Sequence, residues 1–156
     1  QRRRRGGARV VTALACTGKE AAEGRPAAVS LERFQLLRFL QGNWRGTGGD
    51  TEPFFESYLF VDDSTIRTFT YADSTFAQAR DSGMVLWRAG TVAVEGGTAR
   101  WLAVSFDSTG MEFSPERGAS NLFRWTPESR DRWTAELAWP GPSNRSRAYL
   151  MERMGS

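Results

Sequence analysis

Two hydrophobic periods meet at Gly42. Ahead of it, Leu31, Phe34, Leu37 and Leu40 recur along one face, which predicts a short helix over residues 29–41. Ser30 is a good N-cap, Val29 and Phe34 stand at the positions of a hydrophobic staple, and Gly42 sits where a left-handed stop is wanted. Behind Gly42 the period changes to two. Strands are predicted over 54–61, 65–71, 84–88, 91–95, 98–106, 111–113, 120–125, 132–139 and 146–153, separated by turn-forming clusters. Gly96-Gly97 reads as a two-residue hairpin, residues 107–110 as a three-residue loop, and the Pro-containing stretch 126–131 as a polar turn. Residues 74–80 fit either a short helix capped by Asp73 or Ser74, or another strand. Eight to ten strands joined by short connections predict an all-β, up-and-down antiparallel barrel with one short N-terminal helix. A sandwich is the alternative, but it usually needs long crossovers, which the spacing does not offer. The barrel domain is expected over 29–156.

The first strand carries the most information. Gly42-Asn43-Trp44-Arg45-Gly46-Thr47-Gly48 leaves one face almost without side chains, and glycine in a strand marks a tight bend or a close approach. Such a strand helps a sheet curve into a barrel, with Trp44 plugging one end. Gly-x-Trp after a short helix resembles the calycin group: lipocalins, fatty-acid-binding proteins and nitrobindins. Residues 39–46 (Phe-Leu-Gln-Gly-Asn-Trp-Arg-Gly) are similar to the opening of an uncharacterised bacterial lipocalin-like family, Phe-Leu-x-Gly-x-Trp-x-Gly. The resemblance implies a lipocalin-like barrel whose signature residues here are Gly42, Trp44 and Gly46. It also implies a basic side chain late in the last strand, Arg153 or Arg147, lying over Trp44. Arg147-x-Tyr149 resembles the carboxylate-holding pair of fatty-acid-binding proteins. Two departures limit what carries over. The histidine that holds haem in nitrobindins has no counterpart, and residues 114–119 lack the Pro-x-His-Asp-Phe-Pro segment usual in the bacterial family.

Composition narrows the chemistry. A length of 156 residues suits one domain with a real core, and 10 Phe and 6 Trp supply large apolar area. The chain has no histidine and one cysteine. That removes Ser-His-Asp and Cys-His nucleophile systems, His-ligated metal and Cys-rich zinc sites. No cofactor and no metal are expected. The net charge of +3 misleads: 7 of the 21 cations and 2 of the 18 acids lie in the first 30 residues, leaving 14 against 16 in the rest. The basic character belongs to the tail, so nucleic acid is not an expected partner.

Residues 1–28 run from the Arg2–Arg5 cluster through a brief apolar stretch to Cys16, then a Gly/Ala/Pro/Glu linker. That order resembles a bacterial lipoprotein export signal, although the apolar stretch is short and Ala13 stands where leucine is usual. An inert basic tail and a phosphate-contacting arm are the other readings. If lipidated, Cys16 would attach the barrel to a membrane without spanning it. A periplasmic or secreted location follows from the export reading, a cytoplasmic one from its alternatives.

The candidate ligand residues are Glu56, Tyr58, Arg67, Trp87, Trp101, Trp125, Arg147 and Tyr149. Glu56 and Tyr58 share a strand face with Phe54 and Phe60, and a carboxylate buried among aromatics calls for a partner such as Arg67, Arg88 or Arg147. The Trp and Phe side chains, Phe106, Phe123 and Trp133 included, either line a cavity or fill it. Asp81-Ser82-Gly83 has the letters of an aspartic-protease motif, but reads as a turn. Asn144-Arg145-Ser146 matches a glycosylation sequon. The expected function is non-catalytic binding of a small apolar or amphipathic molecule, acids among the candidates, by a monomeric barrel. A solid barrel acting through its surface is the alternative, with a His-free hydrolase or isomerase built on Glu56 as the third. A cavity of roughly 300 Å³ or more separates the first from the second.

Overall fold

The computed structural model describes residues 25–155. Cys16 and most of the export-signal-like segment lie outside the described residues. Ten strands run in sequence order around a closed antiparallel ring: β1 (Gly42–Gly48), β2 (Thr51–Asp62), β3 (Thr65–Tyr71), β4 (Ala79–Arg88), β5 (Thr91–Gly96), β6 (Ala99–Asp107), β7 (Gly110–Arg117), β8 (Leu122–Ser129), β9 (Arg132–Trp139) and β10 (Arg145–Arg153). β10 closes on β1 with Trp44 opposite Arg153 and Gly46 opposite Met151. Every strand therefore has two neighbours, and no edge is left to pair with another chain.

The strands run further than the alternation implied, and prolines explain where. Pro53, Pro115 and Pro127 lie inside β2, β7 and β8. Each falls at a register shift in its ladder, where the missing N–H costs nothing. The predicted turn over 126–131 shrinks accordingly to its last residues. The ambiguous stretch is a loop up to Gln78, after which β4 begins. Asp73 caps that loop by accepting from the Thr75 N–H at 2.9 Å. The β5–β6 turn is centred one residue later than predicted, since Gly96 pairs with Ala99.

The predicted helix is one α turn, α1 (Leu31–Phe34), followed by a 3₁₀ segment, Gln35–Leu40. Its spacing accounts for this. A strict three-residue repeat drifts around an α-helix but stays in line at about three residues per turn. Phe34, Leu37 and Leu40 are fully buried, while Leu31 at the start is 37% exposed. The Ser30 hydroxyl accepts from the Arg33 N–H at 3.1 Å.

This segment stoppers one end of the barrel. The Trp44 indole donates to the Leu40 carbonyl at 2.6 Å, and the Arg153 guanidinium lies 4.3 Å from the Trp44 ring centroid. Arg153 also donates to the carbonyls of Gln41 (2.6 Å) and Arg130 (2.8 Å) and to the Asp131 carboxylate (3.1 Å). One side chain thus ties the last strand to the 3₁₀ segment, the β8–β9 turn and Trp44. Gly42 serves this clamp rather than ending the helix: it begins β1 at φ +129°, and a Cβ there would lie 2.5 Å from the Arg153 Nη1. Trp87 belongs to the same end, where its indole donates to the Val29 carbonyl at 2.7 Å. Around Trp44 the interior is solid, filled by Ile66, Val85, Val92, Met111 and Trp133.

Candidate ligand cavity

Toward the other end the packing opens. Inward-facing residues of β2, β6, β8, β9 and β10, with Asn121 just before β8, line a cavity of about 260 Å³ that opens to solvent. Period-two alternation puts them there. Phe54 and Glu56 come from β2, Trp101 from β6, Phe123 and Trp125 from β8, Trp133, Ala135 and Leu137 from β9, and Tyr149 and Met151 from β10. Gly46 makes room for one wall, since a Cβ on it would run into the Phe54 ring. Phe54 then meets Tyr149 edge-on with centroids 5.2 Å apart. The opposite wall is a chain of rings: Trp101–Phe123 at 5.5 Å, Phe123–Trp125 at 5.4 Å and Trp125–Trp133 at 5.9 Å. Trp101 is pinned by its indole N–H, which donates to the Asn121 carbonyl at 2.8 Å.

The polar groups in this aromatic chamber are few. The Tyr58 hydroxyl donates to Glu56 Oε2 at 2.8 Å. Tyr58 is buried behind the cavity, with its ring 5.8 Å from Trp133 and 6.2 Å from Trp125. Burial pushes the Glu56 carboxyl above its ordinary range, and the Tyr58 hydrogen bond offsets part of that. Burial, and then the neighbouring Glu56, push the Tyr58 phenol well above its own. Among the described residues no ion pair joins Glu56 to an arginine. The Trp133 indole N–H is buried and has no hydrogen-bond partner.

The structure thus brings Glu56, Trp101, Trp125 and Tyr149 together, with Tyr58 behind Glu56. It sets three other candidates apart. Arg67 follows the inward-facing, buried Ile66 and so points outward, where it lies 5.2 Å from the Phe69 ring. Trp87 is at the stoppered end. Arg147 has the inward parity of Tyr149 but stands near the start of β10, where the strand is exposed, and its guanidinium lies 6.0 Å from the Trp139 ring. It therefore forms no carboxylate clamp with Tyr149 in the cavity. Ala135, Leu137 and Met151 were not singled out from the sequence, although alternation from Trp133 leads to the first two.

The cavity falls just short of the roughly 300 Å³ at which drug-sized sites begin. An apolar hole of about 150 Å³ is enough for benzene, so the space suits one or two rings. Among the described residues no cluster of acidic or thiol side chains has the makings of a metal site. No family model and no curated protein matches the chain. Among the solved structures that resemble it are two of low identity. One, described as EF1p2_mFAP2b bound to DFHBI, is 10% identical, with a TM-score of 0.39 over 78% of this chain and 99% of its own. The other, a redesigned beta barrel named b11L5F_LGL, is 11% identical, with a TM-score of 0.40 over 78% of this chain and 96% of its own. At this level of likeness neither bears on what the cavity holds.

Proposed function

We propose that this barrel binds a small, largely apolar molecule in the half of its interior away from the helical stopper, and acts by holding it. The observation that carries the reading is the contrast between the two halves. Around Trp44 the interior is packed solid, while about 260 Å³ remains open beside Glu56, walled by aromatic rings. Aromatic walls supply affinity, and the few polar groups fix orientation. Membership of the lipocalin-like family belongs to the same proposal, supported by residues 39–46 and by Arg153 over Trp44. So does export with attachment through Cys16, which a Cys16→Ser variant tests by loss of membrane fractionation.

Native mass spectrometry of the full chain, purified from cells and measured before and after an organic-solvent wash, tests the binding reading. A mass excess that the wash removes is the expected result. A bare mass, with no uptake from a panel of small aromatic compounds, overturns it in favour of a barrel acting through its surface.

A second reading is proton transfer by Glu56, favoured by the burial that raises its pKa inside a cavity. Tyr58 donates to Glu56 and is itself held protonated, so the pair offers an acid and no second base. Turnover of any panel compound that Glu56→Gln abolishes would establish it.

A further inference from the structure

The open end of the barrel has two unlike walls, and the difference narrows the ligand class, given that the barrel is a ligand binder. Around the ring of strands, the aromatic chamber runs from Trp101 on β6 to Glu56 on β2. β3, β4 and β5 close the remaining arc. The register carries Glu56 across to Thr70 and Asp81, and Tyr58 across to Thr68, Gly83 and Gly96. Ile66 and Val85, two residues deeper on β3 and β4, are fully buried in the core, so Thr68, Thr70, Asp81 and Gly83 share their inward parity. Thr68 Oγ1 lies over the bare face of Gly83, 2.8 Å from where a Cβ would stand. With no side chain on Gly83 or Gly96, the arc keeps a recess of about 470 Å³ that opens to solvent, and Arg80 and Glu95 complete its lining. Its charges balance. Asp81 stands against Arg80, and Glu95 is ion-paired with Arg100.

We propose that the open end takes an uncharged aromatic molecule of one or two rings with hydroxyl groups along one edge, its rings against the aromatic wall and its hydroxyls on the arc of Thr68, Thr70 and Asp81. A threonine hydroxyl both donates and accepts, and the Asp81 carboxylate accepts. A ligand hydroxyl, which does both as well, therefore finds a partner in either sense, whereas a methyl ether can only accept. Ions gain little here, because a carboxylate meets Asp81 and an ammonium meets Arg80. The recess is open to water, so each hydrogen bond to the ligand replaces one made to solvent. The preference for a hydroxyl is accordingly modest, while the aromatic wall supplies most of the affinity.

Calorimetric titration of the full chain with toluene, m-cresol, 3-methylanisole, benzoate and benzylamine tests this. m-Cresol is expected to bind about fivefold tighter than toluene or 3-methylanisole, and more tightly than either ion. The double variant Thr68→Val, Thr70→Val keeps the branched shape and removes both hydroxyls. It should bring m-cresol down to the toluene level and leave toluene binding unchanged, which also shows that the chamber is intact. Thr68→Ser with Thr70→Ser should keep the m-cresol preference. Equal binding of m-cresol and toluene, or of m-cresol and 3-methylanisole, would overturn the proposal. A preference that survives in the valine variant would place the hydroxyl elsewhere and overturn it as well. So would tightest binding of benzylamine, lost in Asp81→Asn, or of benzoate, lost in Arg80→Gln. Each of those results leaves the chamber a binding site. Uptake of none of the five would overturn the binding reading itself.

Discussion

Two side chains carry more than their share. Glu56 is the costly one. Its folded pKa lies above the ordinary glutamate value of 4.5, so the folded state binds its proton more tightly than the unfolded chain does. Its contribution to stability is complete below that value and is lost as pH rises toward the folded pKa. Glu56→Gln has no proton to lose. The melting temperature of the variant relative to the native protein should therefore climb with pH through that window and level off above it, as scanning calorimetry at stepped pH would record. Arg153 is the stabilising one. Its planar fork reaches the Gln41 and Arg130 carbonyls and the Asp131 carboxylate while covering Trp44. A lysine keeps the charge but cannot span those acceptors. Arg153→Lys should lower the unfolding free energy by about 1.5–3 kcal/mol, read from denaturant midpoints.

At the scale of elements, the ring of strands and the position of Trp44 were legible because alternation is local. β9 kept its predicted bounds, since Trp133, Ala135 and Leu137 alternate with polar residues and turns flank them. What was not legible depends on partners far along the chain. Strand ends near Pro115 and Pro127 needed the opposite strand's register, and the three-residue repeat before Gly42 gave a short helix but not its type, because its spacing fits both helices over so short a stretch. Arg147 and Arg67 show the limit for the site: parity along a strand gives a side, but not whether the strand has already left the mouth. Burial of Leu37 and Leu40 supports the 3₁₀ segment beyond its own hydrogen bonds. Leu37→Ala, at a fully buried position, should cost about 2–5 kcal/mol, and a larger loss than Leu36→Ala at its exposed neighbour would confirm that packing forms the segment.

At the scale of the molecule, ten strands give a wider interior than eight, and the sequence spends the extra width unevenly. One half is filled and stoppered, the other left partly open. Filling the open half should improve the fold while removing the function. Ala135→Leu projects from β9 into the cavity, and is expected to raise stability by about 0.5–2 kcal/mol while abolishing uptake of small aromatics, measured on one preparation by calorimetry and native mass spectrometry. The clamp at the other end also has a consequence in time. Arg153 and the Gln41 carbonyl it grips are 112 residues apart in the chain. During synthesis the residues that follow Gly42 leave the ribosome long before the strand that must close on them, and loops of that length form slowly. Until Arg153 emerges, Trp44 and both unpaired margins of the nascent sheet stay open to solvent and to neighbouring chains, so the last strand decides whether the new protein closes or aggregates.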